Sequence, residues 1–268
     1  MPKTRLDLLL VERGLAESRA RAQALIMAGR VRVDGQVELK ASAQVQPGAS
    51  LALEAAPRYV SRGGEKLEAA LAVFPVQVSG RVCADVGAST GGFTDCLLQH
   101  GAVRVYAIDV GKGLLHWKLR TDPRLVVMEQ TNARYIERLP EPVALVVIDA
   151  SFISLRILLP VVRRWITPAG GEDQPGTLLA LIKPQFEAGR QVMAKNRGVI
   201  RDPAVHLAVL RELLAFCQAE GYAVHGLLRS PVLGPKGNVE FLAWLEIAQA
   251  ERDVPDLEVL IGRALAVE

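Results

Sequence analysis

Between residues 85 and 93 the chain reads Asp-Val-Gly-Ala-Ser-Thr-Gly-Gly-Phe, a glycine-rich turn after an apolar run and before a helical pattern. Such a turn lets backbone N–H groups approach a ligand closely. Two nucleotide chemistries fail on its spacing. A P-loop needs lysine where Phe93 stands, and without that ammonium no terminal phosphate is gripped. A dinucleotide fingerprint needs its second glycine where Ser89 stands, because only glycine lets the backbone meet the pyrophosphate. A second group consists of two lysines and two carboxylates: Lys66 in SRGGEKL, Asp149 at the end of VVID, Lys183 in LIKPQF and Glu240 in GNVEFLAW. A lysine that is partly desolvated beside a second lysine gives up its proton more readily, and carboxylates can position the pair. Such a set can supply both a base and a cationic partner to a hydroxyl nucleophile.

These residues need a scaffold that brings distant segments together. From residue 80, short β-rich runs (RVCADVG, RVYAIDVG, LVVME, VALVVIDAS and LLALIKP) alternate with helical stretches such as FTDCLLQHG. Strands separated by helices imply an α/β fold with a doubly wound, mostly parallel sheet covered on both faces. Its ligand belongs at the carboxyl ends of the strands, and the 85–93 turn is the first strand–helix connection. Asp109 ends the second strand, where a carboxylate can accept both hydroxyl protons of a ribose. The run FISLRILLP has spacing suited to core packing, and RSPVLGPKGN beside Glu240 reads as a loop.

The N-terminal quarter is built differently. Leu6, Leu9 and Leu10 repeat at helical spacing, Gly14 stops that helix, and Ser18 is placed to cap a second one that Gly29 ends. VRVDGQ and QPGASLALE then close a small α+β module with a strand pair. Residues 1–64 hold ten Lys/Arg against six Asp/Glu, while the whole chain carries only +3. The basic charge is therefore concentrated where it can meet phosphate. Pro57, Gly63 and Gly64 break any continuing helix, which places the domain boundary around 56–60.

At 268 residues and half hydrophobic, the chain can bury a core. It shows no apolar run of membrane-spanning length and no signal-peptide pattern, so a soluble cytoplasmic protein is expected. Its three cysteines form no CxxC pair, and with the four histidines they offer no familiar metal-ligand spacing, so neither disulfide nor metal is expected. The oligomeric state is open.

Several motifs resemble known families. LLVERGLAESRARAQALIMAGRVRVDGQ is similar to the S-four-type RNA-binding module, and the resemblance implies that Arg5, Arg19, Arg21, Arg30 and Arg32 face RNA backbone. The 85–93 turn resembles motif I of the S-adenosylmethionine-dependent methyltransferases, with their class I, Rossmann-like fold. That likeness implies Asp85, Gly87, Ser89, Gly91, Gly92, Phe93 and Asp109 as cofactor contacts, with Asn132 at the adenine edge. The ordered set Lys66, Asp149, Lys183 and Glu240 resembles the tetrad of the FtsJ-like ribose 2′-O-methyltransferases. VSRGGEKL, AIDVG, TNARY, IDASFISL, IKPQFEAG and GNVEF extend the likeness, over nearly the whole chain, to the TlyA family. Members of that family are labelled hemolysins and methylate cytidines of ribosomal RNA. The resemblance implies a methyltransferase that acts on the ribose 2′-hydroxyl of cytidine, with ribosomal RNA or ribosomal subunits as partner, and domains at 1–56 and 61–268 joined by a linker at 57–60. Lys183 is then the expected general base, Asp149 holds the lysines in line, and Glu240 orients them or the hydroxyl.

Three other readings compete. Asp149-Ala-Ser-Phe152 stands where amino-methyltransferases of bases carry [DN]-P-P-[FY], but both prolines are missing. A pseudouridine synthase would carry its Arg-Leu-Asp motif in the larger domain, whereas Arg5-Leu6-Asp7 lies in the small module. A membrane-lytic protein would need a span, a signal or a strongly amphipathic cationic helix.

Overall fold

The computed structural model describes residues 2–55, 57–167, 176–196, 198–247 and 254–266. The chain divides into two compact units, Met1–Arg58 and Tyr59–Glu268. In the first, β1 (Thr4–Arg5) leads into α1 (Leu6–Glu12), and α2 (Arg19–Met27) follows. The Ser18 hydroxyl accepts the Arg21 N–H at 3.2 Å, satisfying one of the unpaired donors at the helix start. Leu6, Leu10, Ala22, Ile26 and Val31 are fully buried and form the core of this unit. Instead of a single strand pair there are two small sheets. β2 (Val31–Val33) lies between β3 (Gln36–Val37) and β5 (Leu51–Leu53), and β4 (Gln44–Val45) pairs with β1. The extra pairings are only two residues long, too short to leave a periodic signal.

In the second unit α3 (Gly63–Val73) precedes the sheet. The chain then runs through β6 (Val82–Val86), α4 (Gly92–Gln99), β7 (Arg104–Ile108), α5 (Trp117–Arg120) and β8 (Leu125–Met128). It continues through β9 (Leu145–Ile148), α6 (Leu155–Val162), β10 (Thr177–Ile182), α7 (Pro184–Glu187) and α8 (Gly189–Lys195). Last come α9 (Pro203–Ala219), β11 (Tyr222–Arg229), β12 (Phe241–Ile247) and α10 (Leu257–Leu265). Every residue of β9 and β10 is buried, as the unbroken apolar runs LVVI and TLLALI require of strands covered on both faces.

The sheet order is β11-β12-β10-β9-β6-β7-β8. β6 to β10 run parallel, and β12 is antiparallel to both β10 and β11. From β6 the chain builds outward to β7 and β8, then crosses back to place β9 on the other side of β6. The crevice for a ligand therefore opens at the carboxyl ends of β6 and β9.

Residues 59 and 60 belong structurally to this second unit. Tyr59 is buried, its hydroxyl donating to Glu68 at 2.6 Å, and the Val60 N–H donates to Asp95 at 2.8 Å. Among the described residues no helix is long and apolar enough to cross a membrane.

Candidate active site

The glycine-rich turn sits at the switch between β6 and β9. Gly87 has φ of 85°, and a Cβ there would lie 2.7 Å from the Asp149 carbonyl oxygen, so only glycine lets the two strand ends close up. The Asp149 N–H donates to the Val86 carbonyl at 3.0 Å and ties β9 to the start of the turn. Asp109, just past β7, shapes the turn from the other side. Its two carboxylate oxygens accept the N–H groups of Ser89 at 2.8 Å and Gly111 at 2.7 Å.

Beneath the turn, Asp85 is fully buried and accepts the Thr94 hydroxyl at 2.6 Å. Its second oxygen has no partner among the described residues. Burial pushes this carboxyl up to about 7, while the Thr94 hydrogen bond pulls the other way.

The four lysine and carboxylate residues converge on the same edge as two ion pairs. Lys183 follows β10 directly and Asp149 follows β9, so their side chains meet, with Lys183 Nζ 2.5 Å from Asp149 Oδ1. The same ammonium donates to Ser151 Oγ at 3.0 Å. Glu240 precedes β12, and because that strand is antiparallel its start lies where the parallel strands end. Pairing of Ile182 with Phe241 fixes the register. Glu240 is 1% exposed and takes Lys66 Nζ from α3 at 2.5 Å on one oxygen. Gln185 Nε2 reaches the other at 3.2 Å.

A cavity of about 470 Å³ opens over these groups. Gly87, Ser89, Gly92 and Phe93 line it together with Asp149, Lys183 and Glu240. Lys66 stands behind Glu240 rather than on the wall. At the rim, Phe152 is 91% exposed at φ of 64°, a conformation an aromatic residue rarely adopts. Its ring lies 5.2 Å from that of Phe186.

Asn132 is not brought to this cavity. Its side-chain oxygen accepts the Arg134 N–H at 3.0 Å and caps the short turn Ala133–Tyr135. Asparagine competes well for a local cap of this kind.

In the first unit a buried carboxylate organises two of the arginines. Asp7 accepts from Arg5 at 3.0 and 2.9 Å, from Arg19 at 2.9 Å and from Gln23 at 2.8 Å. The Arg5 hydrogen bonds, helped by those of Gln23 and Arg19, hold the Asp7 carboxyl well below the usual range. Arg30 donates to the Glu54 carbonyl, and Arg32 to the Glu54 carboxylate and the Gly35 carbonyl. Arg21 is exposed on α2.

Sequence reasoning passes over three features. Ser151 and Gln185 each lie two residues from a tetrad member, a proximity that marks them as candidate supports. Glu68, Cys96 and His100 come together when α3 packs on α4, with ligand atoms all within 4.8 Å of one another.

Comparison with known proteins bears on this arrangement directly. Residues 59–247 match the FtsJ-like methyltransferase family, and residues 4–51 match the S4 domain. A Bacillus subtilis protein named as the rRNA methyltransferase YqxC is 48% identical over 96% of this chain and 92% of its own. The 16S/23S rRNA (cytidine-2′-O)-methyltransferase TlyA of Mycobacterium tuberculosis is 42% identical over 98% of each chain. A solved structure named as a hemolysin from Streptococcus thermophilus is 43% identical, with a TM-score of 0.72 over 98% of this chain and 96% of that one.

Proposed function

The chain belongs to the FtsJ-like methyltransferases and, within them, to the TlyA family, and from that premise we propose that it methylates the ribose 2′-hydroxyl of a cytidine in ribosomal RNA. The methyl donor is S-adenosylmethionine. The observation that carries the reading is that Asp149, Lys183 and Glu240, two of them paired together and the third held by Lys66, line one cavity with the glycine-rich turn.

The cavity fits such a donor. Its turn side offers backbone and small side chains, and the carboxylate of Asp109 braces the turn where a ribose can approach. In this proposal Gly87, Ser89, Gly92 and Phe93 face the cofactor and Asp109 meets its ribose, while the buried Asp85 and Gly91 shape the turn. Asn132 caps Arg134 through Oδ1 alone, so its amide Nδ2 can donate to an adenine edge. Bound there, the cofactor supplies an activated methyl on a sulfonium and departs as a neutral thioether, so the protein's task is to prepare and align the oxygen.

Lys183, an ammonium while paired with Asp149, first gives a proton to solvent, and the amine so formed takes the 2′-hydroxyl proton on Nζ. Asp149 and Ser151 fix the direction of that nitrogen. Glu240, held by Lys66 and Gln185, orients the hydroxyl from the other side. The alternative of base methylation through Asp149-Ala-Ser-Phe152 would need Asp149 to grip an exocyclic amine, and its carboxylate is already engaged by Lys183.

Residues 1–56 supply RNA affinity in this division of labour, residues 57–60 connect the domains, and residues 61–268 perform the chemistry, in the cytoplasm where ribosomal RNA is made. Arg5, Arg19, Arg21, Arg30 and Arg32 are the proposed phosphate contacts.

Nucleoside mass spectrometry of ribosomal RNA from cells with and without the gene tests the reading. The expected result is a 2′-O-methylcytidine that disappears with the gene and appears as a gap in an alkaline hydrolysis ladder. A methyl found on the base, or no change in either subunit's RNA, would overturn it.

A further inference from the structure

We propose that Glu68, Cys96 and His100 form a transition-metal site of the zinc class on the α3–α4 pair. Cys96 on α4 and His100, the residue that caps its C-terminus, are four residues apart and so share one face. Glu68 reaches them from α3, with its Oε2 3.2 Å from His100 Nε2 and 3.9 Å from Cys96 Sγ. Zinc bound tetrahedrally by sulfur, nitrogen and oxygen holds its ligand atoms roughly 3.3–3.7 Å apart. Both contacts of Glu68 thus stand near the spacing a metal requires, His100 Nδ1 lies 3.7 Å from Cys96 Sγ, and the three ligand atoms fall within 4.8 Å of one another.

Outer contacts already orient these groups. His100 Nδ1 lies 2.9 Å from the Cys96 carbonyl oxygen, a contact that sets the ring with Nε2 toward Glu68. The Tyr59 hydroxyl donates to Glu68 Oε2 at 2.6 Å and fixes the carboxylate. Supports of both kinds accompany metal-ligating histidines and carboxylates. A thiolate with an imidazole and a carboxylate selects zinc or cobalt over magnesium or calcium.

Cys96 is wholly buried, while the side chains of His100 and Glu68 keep 29% and 30% exposure. An ion can therefore enter from the His100 side and keep a water in its fourth position. Binding would displace the thiol proton to solvent and form the metal–sulfur bond. The ion would clamp α3, which carries Lys66, to α4, which begins in the glycine-rich turn.

Cobalt(II) titration of the chelator-treated full-length protein tests this. The expected spectrum has a thiolate-to-cobalt charge-transfer band and visible tetrahedral bands, saturating at a single ion per chain and displaced by zinc. His100→Ala should weaken zinc, measured by competition with a chromophoric chelator, by about 100-fold or more. Glu68→Gln should weaken it similarly, whereas Cys83→Ser and Cys217→Ser should leave the spectrum unchanged. Cys96→Ser should abolish the charge-transfer band. If that variant does not fold, His100→Ala and Glu68→Gln, both at half-exposed positions, decide the matter. Absence of the charge-transfer band in the native chain, or its persistence at full strength in His100→Ala, would overturn the proposal.

Discussion

Replacing Glu240 by alanine would remove the only carboxylate within salt-bridge distance of Lys66 Nζ among the described residues and leave an ammonium whose side chain is 9% exposed. Breaking a buried pair from one side costs about 3–5 kcal/mol, because the remaining charge stays out of water. Gln185 loses its acceptor as well, which adds about 1 kcal/mol. With a urea dependence of about 2–3 kcal/mol/M, the midpoint of the second unit should fall by roughly 1.3–3 M. Trp117, Trp165 and Trp244 all lie in that unit, so tryptophan fluorescence follows its unfolding alone. The double variant Lys66→Met/Glu240→Leu replaces the pair by apolar groups of similar volume and should recover stability to within about 1–2 kcal/mol of the native chain. Methylation of ribosomal RNA should be lost in both variants. Stability thereby separates from activity. A loss below about 1 kcal/mol in Glu240→Ala would refute the buried-pair reasoning. Native turnover in the double variant would remove Lys66 and Glu240 from the chemistry.

Lys183→Ala should leave S-adenosylmethionine affinity by calorimetry within a few-fold of native while single-turnover methylation falls by ~100-fold or more, and an equal loss of both would make Lys183 a cofactor ligand instead. Arg19→Ala with Arg21→Ala should flatten the salt dependence of RNA binding by roughly one unit for each phosphate no longer neutralised, with no change in cofactor affinity; an unchanged slope would place the phosphate-binding groups elsewhere. Asp85 holds a proton in the fold that the unfolded chain releases above its ordinary value of 3.8. Its stabilisation is complete below about pH 4 and is lost as pH rises to about 7, roughly 4 kcal/mol in all. Asp85→Asn should flatten the fall of unfolding free energy between those values, and parallel curves would show that Asp85 does not titrate there.

Much of the scaffold is legible in the sequence because its signals are local. The unbroken apolar runs before Asp149 and Lys183 announce buried parallel strands, and the residue after such a strand emerges at the ligand edge. The turn at 85–93 is equally readable, since Phe93 and Ser89 exclude two nucleotide chemistries by their side chains alone. Ser18 reads as a cap and is one. What the sequence alone does not determine is which charges meet. Its reading sets Asp149 between both lysines, whereas the folded chain gives Lys183 to Asp149 and Lys66 to Glu240. The second pair joins residues 174 positions apart, and it forms only because β12 runs antiparallel and delivers its first residue to the edge where parallel strands deliver their last. Asn132 shows the opposite case, where a local signal places the side chain, its oxygen capping Arg134. The Glu68, Cys96 and His100 cluster likewise has no linear signature, because helical periodicity names the buried face of α3 and of α4 but not the residues each presents to the other.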